Sequence, residues 1–407
     1  MYTLSGHTGS VQCVHFHPSQ PSLLASTCSG LVNVYLLPNP SPAISLSAAA
    51  AGLPSAAQVL CWGAPPECTL AAPGLLYLGC GPSVWQLRPV AGAVTAASLL
   101  ATCSDDVSAL CLHPSTPTQL AVCDDEGVVT LLGLPSGLPC RVLRKGCHAS
   151  LATGLAPAGS SAAAPCLLSV GCDQRLMVWE AAAAVPEEGG SSKGGSKGSS
   201  KGPLLAESMP DLLLEFECNS SGGSGASSSG GSSGMMVNPP HILSLAAGPG
   251  GLYAAALGDG AVVAVALALA QAQASARTRP SLAVRWVDRT CTSPACAVAS
   301  VPMGGEEGSE AAQQHVLCAA SNCGSLRAWD WAALGSTGST GSVAPMASWQ
   351  HGGASAGASA GKGKGKRPKV NWMSGSSHSG GVLAVADTSR AITVYHIRSI
   401  AQGGASQ

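Results

Sequence analysis

The chain has 407 residues, a formal net charge of −1, and only 10% Asp, Glu, Lys and Arg. So neutral a chain makes no whole-molecule field that would draw it to nucleic acid or to a membrane surface, and other proteins are the expected partners. Hydrophobic residues reach 46% while aromatics stay at 4% and glycines number 51, so small residues must build much of the core.

The segment from Met1 to Ser10 has neither a basic nor an apolar leader run, and no window holds the roughly 18 apolar residues of a spanning helix. Cytoplasm or nucleus is the expected compartment. The seventeen cysteines include no Cys-x-x-Cys, and the closest spacings, Cys291 with Cys296 and Cys318 with Cys323, are not zinc signatures. Most of the others, such as Cys13, Cys111 and Cys166, alternate with Val, Leu and Ala and read as small buried hydrophobes in a reducing compartment. No metal or cofactor is expected.

In chain order, the first signal is Val11-Gln12-Cys13-Val14-His15-Phe16-His17-Pro18-Ser19, matched by Val107-Ser108-Ala109-Leu110-Cys111-Leu112-His113-Pro114-Ser115 at an offset of 96 residues. Each alternates apolar and polar residues and stops at proline, the pattern of a half-buried strand. Two units of 48 give that offset, close to the roughly 40–45 residues of one four-stranded propeller blade.

A second unit recurs along the whole chain: an apolar strand, a tight turn, and a strand ending in a bulky residue five positions beyond the turn. Turns at Ser29-Gly30, Glu126-Gly127 and Asp173-Gln174 lead to Tyr35, Leu132 and Trp179. Those at Asp259-Gly260, Cys323-Gly324 and Ser389-Arg390 lead to Val265, Trp329 and Tyr395. A two-residue hairpin needs positive φ, which Gly, Asp and Asn supply cheaply, and it fixes the strand register. A weaker copy spans Leu75 to Trp85. Seven copies predict an all-β, seven-bladed propeller, one domain over residues 1–400, with units near 5–37, 56–89, 104–144, 148–181, 238–267, 283–331 and 349–398. Residues 186–203, 219–234, 332–342 and 352–368 are Gly- and Ser-rich and read as solvated inserts between or within blades.

Gly6-His7, Trp179-Glu180 and Trp329-Asp330 resemble the opening and closing pairs of WD-repeat proteins. In that family the His bonds a turn Asp and a Ser or Thr of a neighbouring strand. The resemblance therefore implies structural roles for Gly6, His7, Tyr35, Asp173, Trp179, Asp259, Trp329, Asp330, Asp387 and Tyr395. It also implies that Tyr2-Thr3-Leu4 forms the outermost strand of the last blade and closes the ring. Lys369-Val370-Asn371-Trp372, Val382 to Asp387 and Ala391 to Tyr395 narrow the likeness to one branch of the family.

No nucleophile beside a base, paired carboxylates or phosphate-binding loop is visible, so an enzyme is not expected. Gly361 to Arg367 lacks the order of a Walker sequence. Lys362, Lys364, Lys366, Arg367 and Lys369 could serve nuclear import; a solvated linker is favoured, because the interleaved glycines keep the charge diffuse. His17 and His113 belong to different repeats and read as strand-end caps, and Asp105-Asp106 and Asp124-Asp125-Glu126 as turn residues. Trp85-Gln86-Leu87-Arg88 is similar to the Trp-Asp-x-Arg box with which substrate receptors dock on the DNA-damage-binding adaptor of cullin-4 ubiquitin ligases, with Gln86 in place of Asp. Two readings of Arg88 stand, an adaptor contact and a plain surface residue. The function expected is non-catalytic protein binding by a monomer within a complex. The leading reading is a substrate receptor or scaffold of a cullin-4 ubiquitin ligase, and the alternative is a general assembly scaffold that reads a peptide or histone tail and has no ligase connection.

Overall fold

The computed structural model describes residues 1–63, 74–90, 96–159, 165–181, 202–220, 240–269, 280–303, 314–336, 343–351 and 369–403. After β1 (Tyr2–Leu4), blade one comprises β2 (Val11–Phe16), β3 (Leu23–Cys28), β4 (Leu31–Leu36) and β5 (Ile44–Ser47). Blade two is β6 (Val59–Trp62), β7 (Leu76–Cys80), β8 (Ser83–Leu87) and β9 (Ser98–Thr102). Blade three is β10 (Val107–Leu112), β11 (Gln119–Asp124), β12 (Val129–Gly133) and β13 (Pro139–Leu143). Blade four is β14 (Ala152–Ala158), β15 (Cys166–Gly171), β16 (Arg175–Glu180) and β17 (Leu205–Ser208), and the helix α1 (Met209–Ser220) follows. Blade five is β18 (Ile242–Ala247), β19 (Leu252–Leu257), β20 (Val262–Ala268) and β21 (Ser281–Asp288). Blade six is β22 (Ala295–Pro302), β23 (His315–Ser321), β24 (Ser325–Asp330), then α2 (Trp331–Ser336) and β25 (Ala347–Gln350). Blade seven is β26 (Val370–Ser376), β27 (Val382–Asp387) and β28 (Ile392–His396), followed by α3 (Ile397–Gly403); its fourth strand is β1, with Tyr2 opposite Val394 and Leu4 opposite Ile392.

Seven antiparallel sheets of four strands make this a seven-bladed propeller. The third strands explain its register. Tyr35 pairs with Leu24, Leu132 with Leu120, Trp179 with Leu167, Val265 with Tyr253, Trp329 with Leu317 and Tyr395 with Leu383. These are the residues that the turn spacing singles out. Gly30, Gly127, Gly260 and Gly324 have positive φ in the turns, and Gln174 adopts +65° in the fourth blade. In blade two the equivalent residue is Leu87, paired with Leu76.

Each blade buries its two faces against its neighbours, and the third-strand aromatics point to the preceding blade. Tyr35 packs with Ile392 and Val394, Trp179 with Leu131 and Leu143, Trp329 with Ala254 and Ala264. Losing a ring of this kind costs about 3–5 kcal/mol. In blades three, four and seven the innermost strand bulges near its first residue, and the polar side chain there reaches the next blade: Ser108 donates to the Ala152 carbonyl (2.5 Å), Thr153 to Ile242 (2.5 Å), Asn371 to Val11 (2.9 Å).

The blade limits differ from those expected in one consistent way. β21 completes blade five and β25 completes blade six, whereas residues 283 and 349 were expected to open the following units. A fourth strand is joined through a loop of variable length, so no turn signature ties it to its own hairpin. The expected insert 332–342 begins as the helix α2, because Ala332, Ala333 and Leu334 favour helix, Leu334 is buried, and the Asp330 carboxylate accepts the Ala332 N–H (2.9 Å). Asn219 and Ser220 likewise end α1. Gly202 and Pro203 lead into β17, and the remainder of the four inserts lies outside the described residues.

Candidate functional site

Most of the residues that the sequence marks as structural lie where the hairpin turns meet the loops entering each blade, whereas Asp330 lies at the opposite end of its strand. In blade four, His148 Nδ1 lies 2.8 Å from Asp173 Oδ1, its Nε2 lies 2.8 Å from Ser169 Oγ, and Trp179 Nε1 donates to the same oxygen at 2.8 Å. A single proton order satisfies every member: indole to hydroxyl, hydroxyl to imidazole, imidazole to carboxylate. Burial opposes ionisation of Asp173, but hydrogen bonds from His148 and from the Ala149 and Arg175 amides outweigh it and hold the carboxyl below its ordinary range.

Blade seven carries a variant in which His351 bridges Asp387 (2.6 Å) and the Tyr395 hydroxyl (2.8 Å). Burial is again outweighed at Asp387 by hydrogen bonds from His351 and Ser389, and its carboxyl too is held low. Blade one has no turn carboxylate. His7 Nε2 lies 2.9 Å from Ser26 and 3.1 Å from the Tyr35 hydroxyl, which donates to the Ser5 carbonyl at 2.7 Å, and burial keeps the pKa of His7 down. Gly6, at φ +96°, precedes it. In blade five Asp259 pairs with Arg289 (3.2 Å), which also reaches Glu217 of α1 (3.3 Å).

His148, Ser169, His351 and Arg289 escaped the sequence reading. Cys147 stands where a glycine precedes the family histidine, and His351 is separated from its blade by residues 352–369. The available signal was spacing, since His7 and His148 each lie four residues before the first residue of an inner strand.

Blade six keeps Trp329 but loses its partners. The register that aligns Ser321 with Gly171 puts Ala319 where blade four has Ser169, so the buried Trp329 Nε1 has no partner among the described residues, although the ring packs edge-on against Trp286 at 4.9 Å. A void of about 20 Å³ lies beside it, lined in part by Cys291, Ala319, Ser321 and Trp329. Ala319→Ser is expected to return an acceptor to the indole and to raise stability by about 1 kcal/mol, read from the urea midpoint.

The ends of the third strands form one rim, opposite the hairpin turns, and Trp85, Gln86, Leu87 and Arg88 lie at that end of β8. Leu87 is buried, Trp85 and Gln86 are half-buried, and Arg88 is exposed. Since Leu87 holds the position of Trp179 and Trp329, Arg88 stands where Glu180 and Asp330 stand in their blades. Asp330 itself caps α2.

Inner strands enclose a central cavity of about 430 Å³, lined largely by small and apolar residues such as Ala109, Gly154, Ala246 and Ala299. Gly375 belongs to this wall, where a Cβ would come within 2.3 Å of the Ser300 carbonyl oxygen. Among the described residues no carboxylate lines it. His17 Nδ1 accepts the Ser19 and Gln20 amides (3.2 and 3.0 Å) and His113 Nδ1 accepts that of Ser115 (3.1 Å), so each caps a turn. Among the described residues no His, Cys, Asp and Glu side chains group to hold a metal. On the turn-bearing face of blade three, burial and then Asp105, Asp106 and Asp124 raise the pKa of Asp125. Lys369 is exposed beside β26, whereas Lys362, Lys364, Lys366 and Arg367 lie outside the described residues.

The family model for the WD domain, G-beta repeat, matches residues 1–35, the span of β1 to β4 that contains Gly6, His7 and Tyr35. This match and the seven four-stranded blades together support a WD-repeat protein. Among curated proteins none matches the chain. WD-repeat propellers generally bind other proteins, and in the described part of this one no helix is long and apolar enough to cross a membrane.

Proposed function

We propose that this WD-repeat propeller is a non-catalytic assembly scaffold, holding protein partners on its two loop-built faces in the cytoplasm or nucleus. The observation that carries this is the closed set of seven packed blades: a rigid support for two broad surfaces, around a channel on whose wall no described residue offers a carboxylate. The carboxylates crowded at Asp105, Asp106, Asp125 and Glu126 favour a basic segment, such as a histone tail, as ligand of the turn-bearing face. Within the family, the stretches from Lys369 to Trp372 and from Val382 to Tyr395 are similar to WD repeat-containing protein 53, and kinship with it is the finest part of the proposal.

A second reading, a substrate receptor of a cullin-4 ligase, is favoured by the exposure of Arg88 on the opposite rim beside the half-buried Trp85. Against it stand Gln86 and the strand register, which puts Leu87 rather than Trp85 in the aromatic's place. Capture of the DNA-damage-binding adaptor by the purified chain separates the readings. The scaffold reading expects no adaptor to be retained by wild type. Retention by wild type, with a loss of tenfold or more in Arg88→Ala, would replace it with the ligase reading.

A further inference from the structure

Blade six has exchanged the His–Asp pair of blade four for two cysteines. Ala295 faces Ser321 as Ala152 faces Gly171, so Cys291, four residues before Ala295, takes the place of His148. Cys323, two residues after Ser321, takes that of Asp173. The thiol of Cys291 hydrogen-bonds to Cys323, whose sulfur also lies 3.0 Å from Ser321 Oγ. The backbones are tied beside both, by the Asn322 N–H on the Pro294 carbonyl at 2.9 Å. Both cysteines are half-buried, within reach of a small reagent, and Cys291 lines the void left by the missing imidazole.

We propose that Cys291 and Cys323 are a dithiol site that low-molecular-weight disulfides convert reversibly to an intramolecular disulfide, stapling the loop between blades five and six to the turn of blade six. Burial opposes ionisation of Cys323, yet hydrogen bonds from Ser321, Ser325, Ser293 and Cys291 prevail and bring its thiol down to about 7. Burial instead pushes Cys13 and Cys123 up to about 12 and Cys61 and Cys80 up to about 11. Cys323 is therefore the attacking sulfur. As thiolate it attacks one sulfur of the reagent, releasing the first thiol and leaving a mixed disulfide. Cys291 gives up its proton, attacks the Cys323 sulfur and expels the second thiol. The protein loses two electrons and two protons, and one disulfide of the reagent becomes two thiols.

The test is equilibration of the full chain in glutathione buffers of graded redox poise, followed by intact mass and non-reducing peptide mapping. Wild type is expected to lose about 2 Da, to yield a peptide linked through Cys291 and Cys323, and to gain several degrees in Tm that added reductant removes. In Cys291→Ser a lasting glutathione adduct should accumulate on Cys323, because no neighbour resolves it. In Cys323→Ser, Cys291 should stay unmodified at the same poise. A wild-type chain that remains a dithiol, retains an adduct on Cys323 or links either cysteine elsewhere would overturn the proposal. The wild-type mapping decides even where a variant folds poorly.

Discussion

His148→Ala is expected to lower the stability of the propeller by about 2–4 kcal/mol, because it removes a buried ring and the hydrogen-bond partner that a carboxylate and a buried hydroxyl share. His148 is 1% exposed, and Asp173 and Ser169 lose their shared partner with it. Urea unfolding followed by tryptophan fluorescence reads the change, and a shift below about 1 kcal/mol would show that the hydrogen-bond chain contributes little.

The companion variant Asp173→Asn carries a signature in pH. A carboxyl held below its ordinary value in the folded state contributes stability that is present above the unfolded pKa of about 3.9 and is lost as pH falls through the folded value. The gap between wild type and Asp173→Asn, about 2–3 kcal/mol for charge-assisted hydrogen bonds, should hold steady from neutral pH to about 5 and close below about 4. Asp387 lies low for the same reason, so acid should weaken both blades over one range.

What the sequence made legible followed from local chemistry. A turn such as Asp259-Gly260 constrains its own two strands, so Val265 lands opposite Tyr253 whatever surrounds it. Fourth strands such as β17 and β21 carry no such constraint, and their blades appeared one strand short. Blade two was misjudged because Trp85 is the conspicuous aromatic of a strand whose register leaves Leu87 in the aromatic's place. The site residues failed in another way: Cys291 pairs with Cys323 through the blade, 32 residues away in the chain, while its closest cysteine in sequence, Cys296, sits on β22. Spacing rules see neighbours along the chain, whereas a propeller joins the start of each blade to its hairpin turn.

Removal of residues 1–4 should destabilise the chain by at least about 4 kcal/mol. Leu4 is fully buried among Val14, Tyr35, Ile392 and Val394, at the seam of blades one and seven. Without β1 that packing is lost and β28 becomes an unpaired edge. The truncated chain should unfold at lower urea, yield to protease across blade seven, and scatter light as its concentration rises. Thr3→Ala, at an exposed position of the same strand, should stay within about 0.5 kcal/mol of wild type, which separates the strand's buried face from its mere presence. Equal stability of truncated and full chains would mean that the ring holds without β1. The expected loss would instead show that the scaffold owes its rigid support to β1, since a propeller whose last blade is left with three strands can splay at the seam between the two blades that Asn371 joins.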